Sequence, residues 1–238
     1  MSGTLFVGTS GFSYREWKPE FYPADLKSKD FLSFYSRAFP SVEINNTFYR
    51  APTPSLLDGW KVQTPADFRF TLKAPQKITH IRRLRDTDEE VGYFLNTARA
   101  LDERLGCILF QLPPSLKADA ELLEKFLAAL PGDPFRFAME FRHDSWSTDD
   151  IKALLGNCGV AWCAADTEDK PVTVVRTARS HVYLRLRGLN YTDEDLQRWA
   201  ADARATLDDG LDAYVYFKHE DDPSGVRFGL RFRELVGA

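Results

Sequence analysis

The chain has 238 residues, 44% of them hydrophobic and 28% charged, and a net charge of −4 at pH 7. That balance supplies a large core and an ordinary polar surface, and it counts against broad electrostatic binding to nucleic acid or anionic membranes. The start, MSGTLFVGTSG, lacks a basic segment and a long apolar run, and nothing approaches the roughly 18 apolar residues of a membrane span, so a cytoplasmic protein with no membrane partner is expected.

Strand-like and helical runs alternate almost from end to end. LFVG (5–8) predicts a strand, followed by a proline-rich loop and a helix near 28–38 in which Phe31, Phe34, Tyr35 and Ala38 recur at helical spacing. VEIN (42–45) is the next strand, and Thr53 with Pro54 reads as an N-cap and first-turn proline. FRFTLK (68–73) precedes a basic loop and a long helix around 88–105, expected to stop at a left-handed Gly106. CILFQL (107–112), a helix near 119–130 and FRFAMEF (135–141) follow. Ser147 is placed to cap a helix over 148–156, with Asp149 and Asp150 favourable in its first turn. VAWCAAD (160–166) leads through a turn and VTVV (172–175), an extra strand or a degenerate connection, to HVYLRL (181–186). Thr192 starts a helix near 193–207, YVYF (214–217) is the last strand, and a helix covers about 225–236. Eight β/α units with apolar strands predict a parallel sheet closed into a TIM-type (β/α)8-like barrel. With no repeat, low-complexity tract or linker, 1–238 reads as a single domain.

Residues two apart on a strand share a face. Glu43 and Asn45 share one in VEIN, as do Thr71 and Lys73 in FTLK; Gln111 ends CILFQ. Glu140 and Arg142 share a face of FAMEFR, Arg185 and Arg187 a face of YLRLR, and Lys218 follows YVYF. Burying so many polar groups unpaired costs several kcal/mol each. They must therefore meet one another, water or a ligand, at the strand ends where barrel enzymes build their sites.

Four segments carry candidate chemistry. In EFRHDSW (140–146), Glu140 or His143 is a candidate general acid or base; the plainer alternative is a Glu–Arg pair closing the strand, with Trp146 as a lid on the core. In KAPQKITHIRRLR (73–85), Lys73 and His80 are candidates, whereas Arg82, Arg83 and Arg85 read as a solvated face. Arg185 and Arg187 need an anion between them, supplied by Glu43, Glu140 or Asp166, or by a substrate. GTSGFSYREW (8–17) is a glycine-bounded turn that offers backbone N–H groups, Ser10 and Tyr14 to a ligand. It has neither Rossmann nor phosphate-loop spacing. The four histidines (His80, His143, His181, His219) form no H-x-H or HExxH pair, so zinc clusters are not expected. No cofactor is evident, which leaves room for a single magnesium or manganese carried partly by substrate. His181, ahead of an apolar strand, reads as structural. Cys107, Cys158 and Cys163 have no CxxC spacing and read as buried reduced thiols.

Together GTSGFSYREW, EINNTFY (43–49), TPADFRFTLKAPQKITH (64–80), QLPPS (111–115), EFRHDSW and RLRGLNY (185–191) resemble the YecE-like family, domain of unknown function 72, over nearly the whole chain. The resemblance implies a TIM-type barrel and no established activity. Residues matching the family's motifs are Ser10, Tyr14, Trp17, Glu43, Asn45, Thr47, Tyr49, Lys73, His80, Gln111, Glu140, Arg142, His143, Trp146 and Arg185. The chain departs from the family where relatives commonly read RLHG, having Arg187 before Gly188. It also has Lys218 and His219 where asparagines are common, and Gly229 where one is usual in the last helix.

The expectation is an enzyme acting on a small phosphorylated, carboxylated or nucleotide-like anion, its reaction a hydrolysis, elimination or isomerisation. Glu140 would be the acid–base residue, aided by His143 or His80, with Lys73, Arg185 and Arg187 stabilising negative charge. Ser10, Tyr14, Trp17, Glu43, Asn45, Tyr49, Gln111, Arg142 and Trp146 would contact substrate. The alternatives are a non-catalytic module that senses an anion or a nucleic-acid end, and a divalent-metal-dependent phosphodiester hydrolase. The pattern does not set an oligomeric state.

Overall fold

The computed structural model describes residues 2–166 and 172–237. Eight parallel strands form one sheet: β1 (Leu5–Thr9), β2 (Ser41–Ile44), β3 (Arg69–Lys73), β4 (Leu105–Gln111), β5 (Phe137–Glu140), β6 (Ala161–Ala165), β7 (His181–Leu186) and β8 (Asp212–Phe217). Their order, β1-β8-β7-β6-β5-β4-β3-β2, brings the first strand round to the second, and the architecture is the expected TIM-type barrel. The helices around it are α1 (Phe31–Ala38), α2 (Pro54–Gln63), α3 (Asp88–Ala98), α4 (Ala120–Ala128), α5 (Asp149–Asn157), α6 (Asp193–Asp208) and α7 (Ser224–Val236). Among the described residues no helix is long and apolar enough to cross a membrane.

The seam between β1 and β2 has its own chemistry. A single parallel bridge, Ser10 to Glu43, joins them, with the Gly11 N–H donating to the Glu43 carbonyl at 2.8 Å. Below it the Tyr35 hydroxyl accepts from the Thr9 N–H (2.8 Å) and donates to the Ser41 carbonyl (3.0 Å). One side chain from α1 thus satisfies two backbone groups that a ladder would otherwise pair. Gly8 makes this approach feasible, because a Cβ there would stand 2.0 Å from the Ser41 carbonyl oxygen.

The interior is filled by pairing large side chains with small ones. Tyr183, Tyr214 and Tyr216 project inward from β7 and β8, and the apolar residues that β5 and β6 set against them are the small Ala138, Ala161, Cys163 and Ala165. The opposite faces, including Val182, Leu184, Leu186, Phe137 and Met139, pack under the helices as the alternation predicts.

Several local expectations shift. Ser147 closes a 3-10 turn over Asp144–Trp146, its N–H donating to the Asp144 carbonyl, so the α5 cap passes to Thr148, whose hydroxyl accepts from the Ile151 N–H. Thr53 caps α2 as predicted, and Thr192 and Asp195 form a capping box on α6. The long third helix ends at Ala98 and continues as a 3-10 segment broken at Asp102 (φ 50°); Gly106 lies inside β4 and is no helix stop. Of eight expected β/α units, the β6–β7 connection shows no helix among the described residues. VTVV forms neither strand nor helix there; Val172 and Val174 pack on the core. Thr177 stitches the segment to β6, accepting from the Trp162 N–H and donating to the Val160 carbonyl. The turn expected directly after Asp166 lies outside the described residues. Cys107 and Cys163 are buried, whereas Cys158, after α5, is exposed.

Candidate functional site at the barrel mouth

The C-terminal strand ends converge on one buried arginine. Arg185, at the end of β7, is 1% exposed and crosses the barrel to carboxylates that are 0% (Glu43, β2) and 1% (Glu140, β5) exposed. It reaches them because its inward neighbour on β6 is only Ala165. Arg185 Nη2 and Nε donate to Glu43 Oε1 at 2.7 and 3.2 Å, and Nη1 donates to Glu140 Oε2 at 2.7 Å. Ser10 Oγ also donates to Glu43 Oε1, and Tyr183 OH to Oε2, both at 2.6 Å. Glu140 takes Gln111 Nε2 (2.8 Å) on Oε2, and Arg187 Nη2 (2.6 Å) and Arg142 Nε (3.2 Å) on Oε1. With four donors, its acceptor positions are filled.

This bonding fixes the charge states. Burial opposes ionisation of both carboxyls, but the Arg185 charge and the converging donors outweigh it and hold each below the usual carboxylate range. For Glu140 the charges of Arg187 and Arg142 add to that effect. The anion that Arg185 and Arg187 require is therefore Glu140, with Glu43 completing the pairing of Arg185. Asp166, beyond β6, accepts the Arg187 N–H at 2.5 Å and the Tyr191 hydroxyl.

Positive charge remains. Arg142 is 40% exposed and touches Glu140 only through Nε. The ammonium of Lys73, half-buried at the end of β3, makes no hydrogen bond or ion pair among the described residues and lies 4.0 Å from the centroid of the Phe48 ring. Burial, then the charges of Arg185 and Arg142, push the Lys73 pKa down to about 8. His80 packs edge-on against the same Phe48 ring at 4.8 Å, with Nδ1 2.8 Å from Thr79 Oγ1. Burial and the charges of Lys73, Arg142 and Arg83 lower its pKa, keeping the imidazole neutral at neutral pH. Two buried donors of the mouth, Asn45 Nδ2 and Arg187 Nε, have no acceptor among the described residues. A cleft of about 620 Å³ opens beside Asn45 between the loops after β1 and β2, lined by Tyr14, Thr47, Arg50 and Trp60 among others.

The structure brings Ser10, Glu43, Asn45, Gln111, Glu140, Arg142, Arg185 and Arg187 into one network, with Lys73 and His80 beside it. Other expected site residues lie elsewhere. Trp17 is fully buried among Tyr14, Phe21 and Tyr22, and Trp146 is buried with its indole N–H on the Leu116 carbonyl. Tyr49 points outward, 73% exposed. His143 Nδ1 accepts the Ser145 N–H, capping the 3-10 turn over Asp144–Trp146. The GTSG turn spends its groups on closing the barrel: Ser10 Oγ goes to Glu43, the Gly11 N–H to the Glu43 carbonyl and Tyr14 OH to the Ser10 carbonyl. Arg82 and Arg85 pair with Glu90 and Asp119 on the surface. Lys218 is exposed beside Glu220, His219 Nε2 donates to the Gly188 carbonyl, and a side chain at Gly229 would come within 2.9 Å of the Phe39 ring. His181 is buried at the far end of the barrel, bonded to Ser180 and the Phe137 carbonyl. Among the described residues no three His, Cys, Asp or Glu side chains gather as a metal site. Two network members were absent from the expected site. Tyr183 was signalled by sharing a face with Arg185, and Tyr191 by closing the RLRGLNY segment.

The profile of the family described as "Protein of unknown function DUF72" matches residues 6–238. UPF0759 protein YecE of Escherichia coli K12 is 39% identical over 140 residues, which cover 58% of this chain and 48% of YecE, so the alignment spans about half of that relative. UPF0759 protein YunF of Bacillus subtilis is 29% identical over 98% of this chain and 94% of its own. The crystal structure of a DUF72 family protein from Thermotoga maritima superposes with a TM-score of 0.86 at 29% identity, covering 99% of this chain and all of the other.

Proposed function

The chain belongs to the DUF72 family, a membership that carries no activity, and from that premise and the mouth's charge balance we propose that it is an enzyme acting on a small anionic substrate held at the barrel mouth. The observation that carries the reading is a surplus of positive charge. Lys73, Arg142, Arg185 and Arg187 outnumber Glu43, Glu140 and Asp166, all three of which already hold donors. An anion seated against Arg142, Arg187 and Lys73 would neutralise that excess, and the N–H groups of Asn45 and Arg187 that no described residue accepts support an acceptor at the mouth.

The geometry supports different roles from those read in the sequence. Glu140 has no acceptor position left and is held ionised, which suits a scaffold that fixes Arg185 and Arg187 and does not suit a general base. Proton transfer falls to His80, neutral and half-buried, and to Lys73. A phosphorylated or carboxylated compound fits this site.

The test is thermal denaturation against inorganic phosphate, phosphorylated metabolites, nucleotides and dicarboxylates, with Lys73→Ala and Arg142→Ala as controls. Arg185 is no control, since removing it strands two buried carboxylates. A bound anion at 100 times its Kd adds about 2.7 kcal/mol to wild type, and either variant should lose most of that shift. Equal shifts in wild type and variants, or none with any anion, would overturn the reading. A stabilising compound recovered unchanged after long incubation would make the site a binding module.

A further inference from the structure

We propose that Lys73 is the amine nucleophile of this mouth, condensing with the carbonyl of an anionic aldehyde or keto compound. The proposal rests on the anion-site reading above and deepens it by naming the substrate class.

Three observations carry it. First, the cations of the mouth divide by what they already hold: Arg185 and Arg187 are anchored on buried carboxylates and Arg142 on Glu140, while Lys73 has no acceptor among the described residues. Second, Lys73 is the member of this cationic set that can lose its proton, since guanidinium groups stay charged. Its cationic neighbours and its burial favour that loss. With the pKa pushed down to about 8, roughly a quarter of the side chain is free amine at pH 7.5, against about a thousandth for an ordinary lysine. Third, the surroundings are divided as such a reaction needs. Arg142 and Arg187 stand ready for a phosphate or carboxylate, and the Phe48 ring forms an apolar wall beside the nitrogen. The neutral His80 packs edge-on against the same ring.

The step balances without an added reagent. The Lys73 lone pair attacks the carbonyl carbon, the C=O π pair moves to oxygen, and that oxygen takes up a proton while the nitrogen gives one up. Loss of the hydroxyl as water, driven by the nitrogen lone pair, leaves a C=N bond. His80 relays the proton between nitrogen and the departing oxygen. The imine then stabilises a carbanion at the adjacent carbon, so the chemistry open to the site is carbon–carbon cleavage, isomerisation or dehydration.

The experiment is reductive trapping. Wild type, Lys73→Arg and Lys73→Met are incubated with pyruvate, 2-oxoglutarate, glyceraldehyde 3-phosphate or dihydroxyacetone phosphate and sodium cyanoborohydride, then read by intact mass and peptide mapping. At least one compound should give a single adduct on Lys73, forming at least tenfold faster than on any other lysine, slowed by excess inorganic phosphate and absent from both variants. Circular dichroism establishes that the variants are folded. Labelling spread equally over surface lysines, or equal in wild type and variants, overturns the assignment. If these compounds raise the melting temperature of wild type but none is trapped, the nucleophile is refuted and the anion site stands. If they neither bind nor become trapped, while other anions also fail to bind, both readings fall.

Discussion

Glutamine substitutions at the two buried carboxylates separate a scaffold from an acid–base residue, and the structure predicts their order. At Glu140 each oxygen faces at least one guanidinium N–H: Oε2 meets Arg185, and Oε1 meets Arg187 and Arg142. Whichever way the amide of a Glu140→Gln side chain turns, its NH2 is aimed at a donor and Arg185 loses half of its neutralising charge. Breaking a buried pair in this way costs about 3–5 kcal/mol. For a chain of this size that corresponds to about 2–4 °C per kcal/mol, or about 6–20 °C in melting temperature. Glu43 differs, because three donors converge on Oε1 while Oε2 meets only the Tyr183 hydroxyl. A Glu43→Gln amide can keep its carbonyl at Oε1, and the Tyr183 hydroxyl can rotate to accept from the NH2. The Arg185 pair is still broken, so the cost lies at the lower end of the same range, about 3 kcal/mol, without the added clash of an NH2 against a donor. Thermal melts at pH 7 of wild type and the two variants should therefore rank wild type above Glu43→Gln above Glu140→Gln. A Glu140→Gln protein melting within about 2 °C of wild type would refute the scaffold assignment, on that same scale of degrees per kcal/mol. So would a larger loss at Glu43.

Two further outcomes follow from single side chains. Lys73 titrates near 8 when folded against 10.5 when free, so below pH 8 both states are charged and the folded state carries the whole penalty. Between pH 8 and 10.5 the unfolded chain binds the extra proton and the penalty disappears. Lys73→Met should thus be more stable than wild type by about 1–3 kcal/mol at pH 7, after the loss of about 0.5–1 kcal/mol of ammonium–ring attraction; urea melts should show the gap closing towards pH 10.5. A gap independent of pH would count against the shifted lysine. At the barrel seam, Tyr35→Phe strands the Thr9 N–H and the Ser41 carbonyl, costing about 1–3 kcal/mol. Hydrogen exchange should show Thr9 losing protection before the rest of β1, and unchanged protection there would disprove the splice.

The sequence was legible wherever the physics is local. Period-two alternation sorted Tyr183, Arg185, Glu140 and Gln111 inward and Leu184, Met139 and Phe137 outward, because neighbouring side chains on a strand must take opposite faces. Caps at Thr53 and Thr192 were legible for the same reason: the group they satisfy lies within three residues. Ser147 was misread because a 3-10 turn ahead of it had already used its backbone. VTVV was legible only as an extra strand or a degenerate connection, and the second holds among the described residues: Val172 and Val174 pack on the core without forming strand or helix.

The site's division of labour depends on distance along the chain. Arg185 meets Glu140 45 residues away and Glu43 142 residues away, and no spacing in the sequence distinguishes an inward carboxylate with four donors from one with none. Sequence can show that a strand end carries charge; whether that charge is spent depends on what crosses the barrel to meet it. That rule reverses the apparent ranking of candidates here. Glu140 and Arg185, the most conspicuous charges in the pattern, use their bonding capacity on each other and on Glu43. Lys73, the last residue of β3, and His80, in the loop after it, were candidates from the start and are less committed: among the described residues nothing accepts from the Lys73 ammonium, and the His80 ring bonds its neighbour Thr79. The same reasoning discounts Ser10 and Tyr14, whose hydroxyls are committed to Glu43 and to the backbone of the seam. In a barrel packed this tightly, the groups available to a substrate are those the fold has not already used.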